Sequence, residues 1–450
     1  MNHPMRAVMA LCLAAALAAC GSDNDPDPAA ATAQLSVIHA SADAPSVDID
    51  LNGFAFGRDV DFKQAVPNQS VVAGSAELVV RGILPGTARP TVIGPTRVTL
   101  DAGRRYAVLA VNRATAIEPL VIARDASAVP AGSTRLQVVH AAPAAPRVAV
   151  YVTAPNANLA ASAPAGTFSF KESFGPVVVT AGTYQIRVTP AGTPGTVVFD
   201  SGPVNLEAGA DLLISAVPNT TTGASPITLF ATSVAGGTIE LLDRAAPSRV
   251  RVVHASPDAP AVDVVVNDNF AQPLVRAIAF PAATPFVEVP GGRYNVKVTP
   301  AGNPGVIAIA ANLAFAAGAE YSIFAVGRLA AIEPLVLRDD RRRVATQAKV
   351  RILHAAPTAG AVDLYVVARG ASIAQATPAF SAVPFKANTG YVSLAAGQYD
   401  VVVTPAGSKS AAIGPATITV AANGIYTLAA RDAAGGGAPL GVILLDDFAP

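Results

Sequence analysis

Cysteine is nearly absent from this chain of 450 residues: there are two, Cys12 and Cys20, both within the first twenty positions. Past Cys20 no disulfide, thiolate metal site or cysteine nucleophile can form. Tryptophan is missing altogether, so a β domain built here lacks the tryptophan-on-disulfide core pin of antibody folds. Neither sign of charge is in excess, because Lys plus Arg and Asp plus Glu number 31 each. No field therefore draws the chain to nucleic acid or to an acidic surface. The sequence also has no G-x-S-x-G elbow, no phosphate-cradling G-x-G-x-x-G or P-loop, and no H-E-x-x-H helix. No cofactor is expected.

Histidine is scarce too, and what there is falls in a pattern. Of five, His3 lies in the leader and the other four stand in one recurring phrase: Val37-Ile38-His39-Ala40, Val138-Val139-His140-Ala141, Val252-Val253-His254-Ala255 and Ile352-Leu353-His354-Ala355. An Ala follows each histidine at the fifth place (Ala44, Ala145, Ala259, Ala359) and a Val at the eighth (Val47, Val148, Val262, Val362). The chain thus repeats itself four times. His39 and His254 are 215 residues apart and His140 and His354 are 214 apart, which suggests duplication of a two-unit block. The phrase Ala-Ile-Glu-Pro-Leu-Val agrees, occurring at 116–121 and again at 331–336. Repeats of about 100 residues are too long for solenoid turns and fit small domains. Four beads on a string are expected, at 35–127, 134–245, 249–341 and 348–450.

Residues 1–19 read as an export signal, with Arg6 before an apolar stretch at 7–19 that is too short for a permanent span. Leu17-Ala18-Ala19-Cys20-Gly21 resembles the lipobox of bacterial lipoproteins. That resemblance implies cleavage before Cys20, lipidation of its thiol, and anchoring by several acyl chains in the cell envelope. Gly after the cysteine, by the same analogy, implies the outer membrane of a Gram-negative cell. Residues 20–34 are then the lipidated cysteine and a flexible, polar tether. The dense run Arg338-Asp339-Asp340-Arg341-Arg342-Arg343 contains its own counter-charges and reads as a solvated linker.

Within a unit, short β-branched runs alternate with Gly, Pro and Asp turns. In unit 3 the pattern predicts strands at 250–254, 262–267, 277–280, 286–289, 294–299, 308–315, 321–326 and 335–338. Many short strands with no helical period imply an all-β fold of four tandem sandwiches, immunoglobulin-like or fibronectin-like. Leu100 to Tyr106 and Phe315 to Tyr321 resemble the Leu-x-x-Gly-x-x-Tyr of a tyrosine corner, in which Gly takes a positive φ and the hydroxyl bonds upstream backbone. Unit 2 has Leu212 in place of the Tyr, and unit 4 has Asn423-Gly424-Ile425-Tyr426. A second signature, Tyr294-Asn-Val-Lys-Val298-Thr299-Pro300-Ala301-Gly302, returns from Tyr184 and from Tyr399, whereas unit 1 has Ala76 at the Tyr position.

The stretch V-R-V-V-H-A-S-P-D-A-P-A-V-D-V-V-V-N, from Val250 to Asn267, resembles the opening of an uncharacterised bacterial family, domain of unknown function 4397. The resemblance extends over all four units, with units 1 and 2 as degraded copies. It implies exported, often lipid-anchored β domains and supplies no reaction.

Nine residues beyond the histidine stands Asp48, Asp263 or Asp363, but Ala149 in unit 2. One reading makes each His-Asp pair a weak metal site or a general base with its orienting carboxylate. A zinc site wants three or four ligands, however, and a unit offers two. The other reading makes His39, His140, His254 and His354 structural ties, closing the first strand on the turn that follows it and reaching the Asp. Glu118 and Glu333 read as turn or inter-unit residues. The sequence therefore predicts a lipid-anchored envelope protein with a structural or binding role, its partners the membrane and an envelope protein or polysaccharide. The rival is a metal-dependent or hydrolytic enzyme that uses His and Asp from neighbouring units.

Overall fold

The computed structural model describes residues 30–446. The leader, Cys20 and the tether up to residue 29 lie outside the described residues. Strand structure begins at Thr32, and Ala33 is already in the core at 1% exposure, so residues 32–34 belong to the first sandwich and not to the tether.

Unit 3 displays the common plan. Its eight strands are Ser248–His254, Val262–Val266, Val275–Ile278, Val287–Val289, Gly292–Pro300, Ile309–Phe315, Glu320–Val326 and Glu333–Asp339, each overlapping an expected strand, the third lying two residues earlier than expected. One sheet runs in the order fourth, first, seventh, eighth, and the other third, second, fifth, sixth. The same two orders recur in all four units, and unit 2 adds a ninth strand, Thr238–Leu241, beside its eighth. The first strand pairs parallel with the seventh in every unit, while the other ladders are antiparallel. The sandwich is as expected, but its wiring differs from the seven-stranded immunoglobulin order.

Alternation along the strands explains the inner cores. In the first strand of unit 1, Ala33, Leu35 and Val37 face the opposite sheet and pack with Val47, Ile49, Leu78 and Leu100. The tyrosine corners form where they were expected. The hydroxyls of Tyr106, Tyr321 and Tyr426 accept the backbone N–H of Asp101, Ala316 and Ala421 at 3.1, 3.2 and 3.1 Å. The turn positions are left-handed, with Gly103 at φ 72°, Gly318 at 76° and, where glycine is replaced, Asn423 at 65°.

The units are not beads on a string. The second face of each histidine-bearing sheet is apolar as well, and two such faces meet. Ile38, Ala40, Leu109 and Val111 of unit 1 pack with Val139, Ala141, Leu213, Val217 and Phe230 of unit 2. In the other half Val253, Ala255, Phe324 and Val326 of unit 3 pack with Leu353, Ala355, Ala429 and Ile443 of unit 4. Each half of the chain is a four-layer stack of sheets. Glu118 and Glu333 lie at these seams and pair with Lys171 and Lys386 of the next unit at 3.2 and 2.7 Å.

Candidate functional site: the histidine ties and the junction of the halves

The recurring phrase owes its composition to both faces of one strand. Val252 and His254 point into their own sandwich, whereas Val253 and Ala255 point into the seam between units. The alanine after each histidine (Ala40, Ala141, Ala255, Ala355) is 0% exposed, its small side chain letting the facing sheets close together.

Each imidazole is buried and tied to the turn that follows it. Nε2 lies 2.9, 3.1, 3.0 and 2.6 Å from the carbonyl oxygens of Pro45, Pro146, Pro260 and Gly360 for His39, His140, His254 and His354. A carbonyl only accepts, so Nε2 carries the hydrogen and Nδ1 is the acceptor. In units 2 and 4 the backbone N–H of Ala142 and Ala356 donates to that Nδ1, at 3.4 and 3.3 Å. Burial pushes all four imidazole pKa values down, that of His39 to about 4.

A phenylalanine that sequence reasoning missed completes each tie. Phe62, Phe170, Phe280 and Phe385 meet the four rings edge to face, with centroids 6.1 to 6.4 Å apart. The loop bearing the phenylalanine also bonds the histidine backbone: Lys63 N–H donates to the His39 carbonyl at 2.9 Å and His39 N–H to the Gln64 carbonyl at 3.0 Å. Its signal was the repeated Phe-Lys of 62–63, 170–171 and 385–386, which is hidden by its uneven distance from the histidine and by Phe280-Pro281 in unit 3.

Histidine and aspartate are not brought together. The Asp follows an inward Val on the second strand and so faces out of the sandwich, away from the imidazole on the other sheet. Asp263 accepts the N–H of Ala277 and Gly302 at 2.7 and 3.0 Å, and Asp363 those of Ala382 and Gly407, both at 2.8 Å. Asp48 accepts from Asp59 N–H at 3.1 Å. Asp59, Ala277 and Ala382 have φ near 50°, so the carboxylate steadies a left-handed bulge in the third strand. The two bonded amides hold the Asp363 carboxyl below its usual range. Histidine and aspartate of one unit therefore form no dyad, and the tie does not extend to the Asp.

The run at 338–343 is not a solvated linker either. Arg342 is 9% exposed and inserts into unit 1. Its Nε donates to the Ala42 carbonyl at 2.9 Å, its other nitrogens to the Ala44 carbonyl and to Asp61, and its guanidinium covers the Phe62 ring at 5.4 Å. Arg341 donates to the Thr221 carbonyl of unit 2 at 3.0 Å, and Thr222 N–H to the Gly318 carbonyl at 3.2 Å. The two halves are therefore docked on each other. Hydrogen bonds to a charged group are worth about 1.5–3 kcal/mol each, so Arg342→Ala should let the halves swing apart. The expected results are a larger radius of gyration by X-ray scattering and tryptic cleavage at Arg341 or Arg343 faster by at least about tenfold. Unchanged scattering and cleavage would show that the contacts of Thr221 and Thr222, with the bond from Ala345 N–H to the Asp43 carbonyl at 2.7 Å, suffice.

Fold and ties define a class: an all-β protein of four identically wired sandwiches, duplicated as two face-to-face pairs. The chain belongs to the family described as Domain of unknown function (DUF4397), whose model matches residues 33–151, 248–365 and 371–450, more than half of the chain. Each of the first two matches runs through one whole unit and on into the first two strands of the next. No curated protein matches. Among solved structures the chain is similar to the TIE protein of Bacillus anthracis, at 10% identity over 90% of this chain and 68% of that one with a TM-score of 0.16. It is also similar to the major pilin subunit of Bacillus cereus, at 8% identity over 69% and 95% with a TM-score of 0.14. A leucine-rich repeat protein of Bacteroides thetaiotaomicron matches at 12% over 42% and 26%, with a TM-score of 0.12. At such TM-scores these likenesses say nothing of function.

Proposed function

We propose that the mature chain is a lipid-anchored scaffold of the cell envelope. It is fixed by Cys20 in the outer membrane of a Gram-negative cell and holds an envelope protein or a polysaccharide off the bilayer. The observation that carries this reading is the engagement of the recurring histidines and aspartates in the fold. The four imidazoles bond turn carbonyls, the three aspartates bond bulge amides, and the seams between units are packed with aliphatic side chains. Such an array is stiff, repeats its loops, and multiplies weak contacts by avidity. The reading assigns the chain no reaction.

Two measurements on the exported chain test it. Growth with an alkyne fatty acid should label the protein and place it in the outer-membrane fraction, and Cys20→Ala should abolish both. A chain that is unlabelled and freely soluble with Cys20 intact would overturn the anchor. Recovery of one envelope protein or glycan with the exported chain, released in parallel with it by Cys20→Ala, would support the scaffold; turnover of a hydrolysable substrate by the purified chain would overturn it.

A further inference from the structure

A ground dense in charged residues lies where the two halves meet. A cavity of about 460 Å³ opens there, and all four units contribute to its wall, for example Lys63, Glu240, Arg341 and Lys349. Ten of its sixteen lining residues are charged, in a chain of which 14% is charged. A second cavity of about 420 Å³ shares Glu320, Asp340 and Arg341 with the first and adjoins it, although all of its lining residues belong to the C-terminal half. Each is within the usual size of a small-molecule site.

The wall chemistry selects a ligand class. The ten charged residues of the first cavity are five acids and five bases, a balance that offers no field for a polyanion such as nucleic acid. Phe62 and Tyr391 are its only large apolar surfaces, and a cation covers each ring: Arg342 lies over Phe62 at 5.4 Å and Arg351 over Tyr391 at 4.7 Å. Cations over both rings make them poor seats for an acyl chain. What remains is a dense mixture of donors and acceptors. The matching partner carries no net charge and offers both at every position, which is what a sugar hydroxyl does with one donor hydrogen and two lone pairs.

The side chains are also held in place beforehand. Lys63 Nζ lies 2.5 Å from Glu240 and Lys349 Nζ 2.5 Å from Asp340, while Arg341 is fixed by the Thr221 carbonyl at 3.0 Å and lies 3.4 Å from Glu320. The two lysine pairs use part of what their members offer: an ammonium has three donors and a carboxylate about four lone-pair sites. Groups steadied by one another lose little freedom on meeting a ligand. We infer that the seam between the halves is a binding groove for a neutral oligosaccharide. This inference rests on the scaffold reading and names what the scaffold holds.

The test uses the detergent-solubilised full chain on an array of neutral tri- to hexasaccharides, uronic-acid oligosaccharides and single-stranded DNA, with hits measured by calorimetry. The expected result is binding to neutral glycans, weakened at least tenfold in Kd by Glu240→Gln and by Lys349→Met. Both variants change a wall of the cavity while leaving the histidine ties and Arg342 in place, and an unchanged melting temperature certifies the fold. Selection of only acidic glycans or DNA overturns the inference, as does neutral-glycan binding that both folded variants retain, or no binding to the array. If no glycan binds while a specific envelope protein is still recovered with the exported chain, the groove inference fails and the scaffold reading stands.

Discussion

Asp211→Ala should destabilise the N-terminal half by about 3–5 kcal/mol, the range for removing one partner from a buried charge group. Three guanidiniums converge on this one carboxylate. Arg124 lies 2.7 Å from Oδ1, and Arg105 and Arg135 lie 3.1 and 3.2 Å from Oδ2. Asp211 and Arg135 belong to unit 2, Arg105 and Arg124 to unit 1, so the cluster straddles the seam. Side-chain exposure is 7% for Asp211 and 4% for Arg124 and Arg135, which leaves little water to screen like charges once the acid is gone. Burial already pushes the Arg124 pKa down, Asp211 opposes that, and Arg105 and Arg135 add to it. Without Asp211 all the remaining effects act against charge. The C-terminal half has its own network, in which Asp339 takes hydrogen bonds from Arg351 at 2.5 Å and Ser322 at 2.6 Å. Urea unfolding of Asp211→Ala should therefore show an early transition of the N-terminal half and leave the C-terminal one in place. Replacing Asp211 and Arg124 together by Leu and Met should recover part of the loss. A single variant that unfolds at the wild-type urea concentration would show that solvent reaches the cluster and that its charges are screened.

Much of this architecture was legible in the sequence. All eight strands of unit 3 lie where β-branched runs between Gly and Pro place them, because a strand buried on one face must alternate. The face-to-face pairing was legible too, but at a different place. Tyr106-Ala-Val-Leu-Ala-Val111 and Tyr321-Ser-Ile-Phe-Ala-Val326 hardly alternate, since Tyr106, Val108 and Ala110 face the inner core while Ala107, Leu109 and Val111 face the next unit. A strand apolar on both sides needs cover on both. Arg342 was not legible. A run of alternating charges looks alike whether solvent or another domain surrounds it, and only the fold brings Asp61 and the carbonyls of Ala42 and Ala44 to it across some 280 residues or more of chain. The His-Asp spacing misled for a geometric reason. Nine residues suffice to cross from one sheet to the other, and the parity of the second strand then turns the carboxylate outward.

Stability should fall as pH drops from 7 to 4.5, and the histidines are the cause. The unfolded chain protonates His39 near 6.5, whereas the folded chain does so only near 4, because burial strips the imidazolium of water and Arg342 adds repulsion; the Pro45 carbonyl and Asp61 oppose both only in part. Between those two values the unfolded state binds the additional proton, so stability decreases as pH falls through the window and changes no further below it. The drop from 6.5 to about 4 corresponds to about 3 kcal/mol for His39 alone, and the other three rings act in the same direction. The carboxylates whose pKa is lowered do not produce this slope. The folded-state pKa values of Asp61, Asp363 and Asp400 are held below 3.8, so their contribution persists at pH 4.5 and fades only in stronger acid. Urea midpoints at pH 7.5 and pH 5 should therefore differ for the wild type, and differ much less when all four histidines are replaced by glutamine, which can still donate to the turn carbonyl. At pH 7.5 a single His254→Ala should cost about 2–4 kcal/mol, for the void left in the core and the Pro260 carbonyl left without its donor. A wild type as stable at pH 5 as at pH 7.5, or a fourfold variant that keeps the full slope, would place the acid sensitivity elsewhere and deny these rings their role as ties.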